Sequence, residues 1–271
     1  MINKVWAVYF SPTGGTKQNV NLVADELGRT LGLPVSTIDF TLPNSRSEKH
    51  TFTAEDLVIL GVPTYAGRIP NKILPDVDTL FEGTHTPVVP ISVFGNRSFD
   101  DALMELTLLL EKHNFIPLAA AGIAHEHAFS SKVGTARPDA NDKEEIKAFA
   151  KELAAKIASG NLTPLTGVKG NNPIGPYYTP LGIDGQPAKF LKAKPVTDEE
   201  KCTRCGECVS SCPVGSIAVD CLTVTGPCIK CQACLKVCPV DAKYFDDAAF
   251  LSHVKMLETN YCAKAPNYFK I

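Results

Sequence analysis

Residues 4–17 read K-V-W-A-V-Y-F-S-P-T-G-G-T-K. Residues 3–10 form a near-continuous apolar run, the pattern of a parallel strand covered on both faces. The run stops at Ser11-Pro12-Thr13-Gly14-Gly15-Thr16-Lys17, after which Val20, Leu22, Val23, Leu27 and Leu31 recur at helical spacing. A strand, a hydroxyl- and glycine-rich loop and a helix in this order set backbone N–H groups and a helix N-terminus where an anion binds. The nucleoside-triphosphate loop G-x-x-x-x-G-K-[ST] is a poor match. Its first glycine is missing, and Gln18 stands where a hydroxyl must follow the lysine.

Outward from this unit, residues 35–40 and 56–62 (D-L-V-I-L-G-V) read as further strands, followed by 88–94 and 117–123. Helical spacing returns in Leu103, Leu106, Leu109 and Leu110 and again over 144–158. Strands alternating with helices over some 160 residues predict a doubly wound, five-stranded parallel sheet. Three loops then stand at strand C-terminal ends, 11–17, 63–70 and 95–101, where ligands bind in such sheets. No G-x-G-x-x-G follows a strand, which argues against the usual dinucleotide site.

The second decisive stretch is a duplication. C-T-R-C-G-E-C-V-S-S-C-P (Cys202, Cys205, Cys208, Cys212) is followed 26 residues later by C-I-K-C-Q-A-C-L-K-V-C-P (Cys228, Cys231, Cys234, Cys238). Each run is C-x2-C-x2-C-x3-C-P, the bacterial two-cluster ferredoxin spacing. In that pattern the first three cysteines hold one [4Fe-4S] cluster and the fourth crosses to the other. Cluster I is then expected on Cys202, Cys205, Cys208 and Cys238, and cluster II on Cys228, Cys231, Cys234 and Cys212. Zinc favours two CxxC pairs around one tetrahedral ion, which three-plus-one runs ending in Cys-Pro fit poorly. Cys221 and Cys262 fall outside the runs and read as structural thiols.

The chain has 271 residues with a net charge of −2 and no basic stretch of the kind that binds nucleic acid. Its start lacks the pattern of a signal peptide, and no run approaches the ~20 apolar residues that span a membrane. Thiolate ligands without a secretion signal point to a reducing cytoplasm, and oxygen-sensitive clusters to an anaerobic host.

The loop S-P-T-G-G-T resembles the phosphate-binding loop of flavodoxins. Together with F-G-N-R-S-F-D-D at 94–101 and the C-terminal cysteine runs, it makes nearly the whole chain similar to the clostridial-type flavodoxin–ferredoxin fusion proteins. The resemblance implies a flavodoxin-like α/β domain over 1–160 that binds FMN, followed by a small α+β bacterial two-cluster ferredoxin domain over 198–245. Residues 161–197 then form a linker, and 246–271 a C-terminal helix and tail. It further implies that Ser11, Thr13, Gly14, Gly15, Thr16 and Lys17 cradle the FMN phosphate. Pro63, Thr64, Tyr65 and Gly67 would edge the flavin ring, with Tyr65 stacked on it, and Gly95, Asn96, Arg97 and Phe99 would form the other wall. Flavodoxins carry an acidic Gly-Asp pair in this last loop, whereas Asn96-Arg97 stands here. A cation there favours an anionic reduced flavin.

The linker is rich in proline and carries Gly167, Gly170, Gly175, Gly182 and Gly185, with Tyr177 and Tyr178 placed to pin it over the first domain. His125 and His127 lack a third ligand and read as loop or surface histidines, with proton delivery to the flavin as the alternative. The functional expectation is an iron–sulfur flavoprotein. Electrons pass singly from a low-potential donor through two [4Fe-4S] clusters to FMN, and on to a redox partner protein or small-molecule acceptor. A dedicated FMN-dependent reductase of an organic substrate is the alternative, and a non-redox zinc-binding interaction module the more distant one. The sequence is consistent with transfer inside one chain and with transfer across a homodimer.

Overall fold

The chain is described over residues 1–271 by a computed structural model. Its elements are β1 (Lys4–Tyr9), α1 (Gly15–Leu31), β2 (Val35–Asp39), a 3-10 turn (Pro43–Arg46), β3 (His50–Phe52), β4 (Asp56–Pro63), α2 (Leu74–Leu80), β5 (Phe81–Gly83) and β6 (Thr86–Phe94). There follow α3 (Ala102–Lys112), β7 (Phe115–Pro117), β8 (Ala120–Ala124), α4 (Ala140–Ala158), β9 (Val196–Thr197), α5 (Glu207–Ser210), α6 (Ala233–Lys236), β10 (Lys243–Tyr244), α7 (Ala248–Asn260) and β11 (Tyr268–Lys270). None of the helices is long and apolar enough to cross a membrane.

Five parallel strands make the body of the main sheet in the order β8-β6-β4-β1-β2. Numbered among themselves they run 2-1-3-4-5, the flavodoxin-like order with its switch point between β1 and β4. The apolar runs are needed because both faces are covered. Val5, Val8, Leu57, Val58, Ile59 and Leu60 have no exposed surface, and each such side chain contributes about 1.5–3 kcal/mol by leaving water. One face packs on α1 and α4, the other on α2 and α3.

The sheet is wider than the sequence pattern indicates. Short β7 pairs with β6, and β11 adds antiparallel to β8, so the end of the chain returns to the sheet in which it began. A three-residue strand carries too little periodicity to be read locally. The expected fifth strand over 117–123 divides into β7 and β8, and the helix expected over 144–158 starts four residues earlier, at Ala140, and ends at Ala158.

The returning tail is held by Arg137, only 5% exposed. Its guanidinium binds both carboxylate oxygens of Asp142, the side-chain oxygen of Asn96 and the carbonyl of Ala265. Asn96, buried in its turn, donates its amide to the carbonyls of Tyr261 and Ala263 and accepts from the N–H of Ala265. Asp142 also belongs to a capping box with Asp139 at the start of α4.

The linker is zipped down as well. Asp101 accepts from the backbone N–H groups of Asn171 and Gly175, and Arg68, paired with buried Glu105, donates to the Gly175 carbonyl. The Tyr177 hydroxyl donates to the Ile69 carbonyl, and the Tyr178 N–H to that of Ala66. The composition of 161–197 suggests an irregular linker pinned by Tyr177 and Tyr178. The structure shows an irregular segment fastened along its length, because its backbone groups find partners on loops of the sheet.

Burial acts to raise the Asp142 pKa, but the Arg137 bonds, the Asp139 backbone N–H and the Asn267 amide outweigh it and hold the group down at about 2. Asp142→Asn leaves a buried guanidinium without its counter-charge and is expected to cost about 3–5 kcal/mol at pH 7, read from urea unfolding. A depressed carboxylate pKa stabilises the fold above its unfolded value near 3.8 and loses that contribution as pH falls towards 2. The gap between wild type and variant should therefore narrow over that window; a gap independent of pH contradicts the assignment.

Candidate functional site

The three loops at the C-terminal ends of β1, β4 and β6 open into one cavity of about 580 Å³, within the range of cofactor sites. In the first loop Gly14 has φ 86°, a conformation that side chains rarely adopt, and leads into α1 without a side-chain cap. Ser11 Oγ accepts the Lys17 N–H, while the N–H groups of Thr13, Gly15 and Thr16 have no partner within the chain. Free N–H groups at the N-terminus of a 17-residue helix favour an anion. Ser11, Thr13, Gly15 and Thr16 line the cavity, whereas Gly14 and Lys17 do not. The Lys17 ammonium lies instead over the Tyr9 ring.

Pro63, Thr64, Tyr65 and Gly67 line the second side. Gly67 has φ 78° and abuts Asp100, where a Cβ would come within 2.4 Å of its carboxylate. On the third side Gly95 and Arg97 face the cavity, but Asn96 and Phe99 do not. Asn96 is turned into the tail-anchoring network. Phe99 packs between Phe94 and Tyr268 and against Gly122. The expected wall is thus half wall and half core, because the β6–α3 turn must also bury the incoming tail. Arg97 is paired with Asp100 and lies 4.0 Å from the Tyr178 ring centroid, so it is not the free cation that Asn96-Arg97 suggests.

Segments far away in sequence complete the enclosure. Tyr177, Tyr178 and Pro180 of the linker, Phe190 to Lys194, and His253 and Leu257 of α7 line it. Pro227, Cys228, Ile229 and Lys230 also line it, and these belong to the second cysteine run. Tyr65 stands between the two regions. Its hydroxyl pKa is pushed well up by burial first and then by the neighbouring thiols of Cys231 and Cys228. Arg46 fixes this junction by donating to the carbonyls of Phe40 and Thr41 on the sheet side and of Pro213, next to Cys212, on the other.

The cysteines fall into two separate clefts. Cys212, Cys228, Cys231 and Cys234 line one, and Cys202, Cys205, Cys208 and Cys238 line the other together with Cys221. The two short helices α5 and α6 are preceded by Gly206 and Gln232, both at positive φ, as the chain wraps back on itself within each run. Backbone N–H groups point at sulfurs, Ser216 to Cys212 at 3.3 Å, Lys230 to Cys228 at 3.4 Å and Ala242 to Cys238 at 3.2 Å. Burial pushes the Cys208 thiol up to about 11 and that of Cys234 to about 12. Positive iron is what deprotonates such groups. Cys205 is exposed, whereas Cys231 and Cys234 are buried.

His125 and His127 are cavity-wall residues and not surface ones. The His125 ring packs on Gly15, where a Cβ would be 3.0 Å away, and the His127 ring packs on Gly95. Burial, followed by His253, Arg97 and Lys236, lowers the His127 pKa to about 4. Neither the role of the linker aromatics nor that of His253 has a local sequence signature. Tyr177, Tyr178 and Phe190 in a segment otherwise poor in apolar runs were the one available signal.

Two family models, each described as a 4Fe-4S binding domain, match residues 195–218 and 228–242. No curated protein matches the sequence. Among solved structures, a flavodoxin from the domain Archaea is 14% identical, covering 57% of this chain and 99% of its own, with a TM-score of 0.38. Flavodoxin 2 from Bacillus cereus is 17% identical over 57% and 99%, also with a TM-score of 0.38. Rubredoxin oxygen:oxidoreductase from Desulfovibrio gigas is 18% identical over 58% of this chain and 36% of that one, with a TM-score of 0.37. The strand order and the two matched cysteine runs make this chain a flavodoxin-like α/β sheet joined to paired 4Fe-4S binding domains, the architecture of a flavodoxin–ferredoxin fusion.

Proposed function

We propose that this protein is an electron-transfer iron–sulfur flavoprotein in which FMN occupies the 580 Å³ cavity and receives electrons from the cluster on Cys212, Cys228, Cys231 and Cys234. The observation that carries this reading is the shared wall. Cys228 lines both the cavity and the cleft of the second cluster. The residues fit FMN: unpartnered N–H groups of Thr13, Gly15 and Thr16 suit its phosphate, and Tyr65 and Arg97 flank the space for its ring. Flavin when bound accepts electrons singly or in pairs, which couples one-electron clusters to either kind of acceptor.

The other cluster, on Cys202, Cys205, Cys208 and Cys238, is the outer one. Exposed Cys205 makes it the site at which a low-potential one-electron donor protein docks. Backbone N–H bonds to the cysteine sulfurs set the cluster potentials. The linker contacts of Arg68, Asp101 and Tyr177, with the bond from Arg46 to the Pro213 carbonyl, tie the linker and the first cysteine run to the sheet, which favours transfer within one chain. A zinc module is disfavoured by the three-plus-one spacing of the cysteine runs, which suits a cluster and not two CxxC pairs around one ion.

Protein reconstituted anaerobically should carry about eight iron and eight sulfide per chain and one FMN; zinc in place of iron contradicts the reading. Cys231→Ser should abolish the second cluster's signal and slow flavin reduction by a protein donor to the background rate, with FMN still bound. Flavin reduction at the wild-type rate in that variant overturns the route. The Thr16 methyl packs towards Gly61, leaving its hydroxyl for the anion. Thr16→Val should weaken FMN binding roughly tenfold and leave riboflavin binding unchanged, by fluorescence titration.

A further inference from the structure

The cavity extends past the three loops that would hold FMN. Its far side comes from elements that flavin binding does not require: Phe129 after β8, Tyr178 and Phe190 of the linker, and Leu257 of α7. These side chains are aromatic or apolar, and they belong to a larger ring cluster. Phe129 lies 4.8 Å from Phe250, and Phe190 lies 5.5 Å from Phe250 and 5.3 Å from His253. Three polar side chains interrupt this surface: His127, His253 and Arg97, whose guanidinium lies over the Tyr178 ring.

The hydrogen bonds fix the tautomers of both rings. The Phe129 backbone N–H donates to His127 Nδ1 at 3.1 Å. A backbone N–H can only donate, so in neutral His127 the proton is on Nε2, which has no partner in the protein. At His253 the bond runs to the Leu181 carbonyl, 2.8 Å from Nδ1. A carbonyl can only accept, so Nδ1 carries that proton and Nε2 keeps a lone pair. Burial keeps both rings neutral at pH 7. One unpaired N–H donor and one acceptor therefore sit among these aromatic and apolar side chains, beside Gly95 of the flavin-facing loop, with Arg97, paired to Asp100, as the charged neighbour of both rings.

We propose that this chamber binds a small, planar, conjugated carbonyl compound, with its oxygen accepting the Nε2–H of His127 and its apolar body against Phe129, Tyr178 and Phe190, and that this compound is the terminal electron acceptor. This rests on the FMN reading above and assigns that site a substrate class. The balance is that of a two-electron reduction. Two electrons from the low-potential donor arrive singly through the clusters. The substrate's conjugated π bond opens as a hydride from the reduced flavin forms one new C–H bond. Negative charge then develops on the carbonyl oxygen, and a proton from water completes the reduced product. His127 contributes a hydrogen bond to that charge and gives up no proton. A donor directed at developing charge in a water-poor site is a large source of rate acceleration.

The test uses the full-length protein loaded with FMN and both clusters. Acetophenone, an aromatic ketone kept with the oxidised protein so that no turnover occurs, serves as a binding probe, followed by the change in flavin absorbance. Benzylideneacetone, a planar conjugated enone, serves as the acceptor in anaerobic stopped-flow reoxidation of the reduced protein. Saturable acetophenone binding and a hyperbolic dependence of reoxidation on the enone are expected. His127→Phe, which keeps the ring's bulk but has no N–H, should weaken acetophenone binding roughly tenfold or more. His127→Gln should retain most of the binding, because its amide can both accept from the Phe129 N–H and donate to the ligand. FMN content in each variant checks that the fold is intact. Loaded protein with no saturable binding, or equal affinities for wild type and His127→Phe, overturns the proposal and leaves the electron-transfer reading standing. A protein that takes up no FMN overturns both.

Discussion

The cluster-bearing half of this chain is fastened to the first sheet at both of its ends. The polypeptide leaves the sheet after α4, forms the linker, both cysteine runs and α7, and returns as β11 along the edge of β8. Buried Arg137 closes the circuit by satisfying Asp142 at the start of α4, Asn96 in the β6–α3 turn and the carbonyl of Ala265 in the tail. A charge buried so deeply is tolerated only when it is fully paired. The geometry of the joint is therefore fixed where the tail rejoins the sheet.

That closure makes the functional centre a composite. In an isolated flavodoxin-like sheet the loops after β1, β4 and β6 would face water at the switch point. Here they face the linker, α7 and the loop of Cys228. The cavity is thereby enclosed, Cys228 of the second cysteine run becomes part of its wall, and two histidines are placed where water has little access. The same contacts account for the absence of Asn96 and Phe99 from the cavity wall. A turn that must cover a returning chain turns side chains inward that a free sheet would leave for the ligand.

How much was legible in the sequence follows from the range of the interactions involved. The parallel strands were visible because full burial on both faces demands uninterrupted Val, Leu and Ile, as in residues 57–60. The turn from β1 into α1 was visible because Gly14 and its neighbours obey a local backbone requirement. The fate of Lys17 was not, since its side chain chooses between an anion and the Tyr9 ring by contacts outside the loop. His125 and His127 have the same sequence context in a surface loop as in a cavity wall, and only the packing of α7 and the linker over them separates the two.

The sequence by itself therefore determined the elements whose causes are local: the strand–loop–helix unit at 4–31, the alternation that builds the sheet, and two cysteine runs whose spacing encodes cluster chemistry within a dozen residues each. The tertiary structure alone decided what those elements do together. It brought Cys228 to the cavity of loops 11–17 and 63–67, set His127 and His253 in one chamber, and made the tail a strand of the first sheet. These pairings join residues more than a hundred positions apart, and they are selected by burial and by satisfaction of polar groups across the whole molecule, quantities that no window of sequence contains.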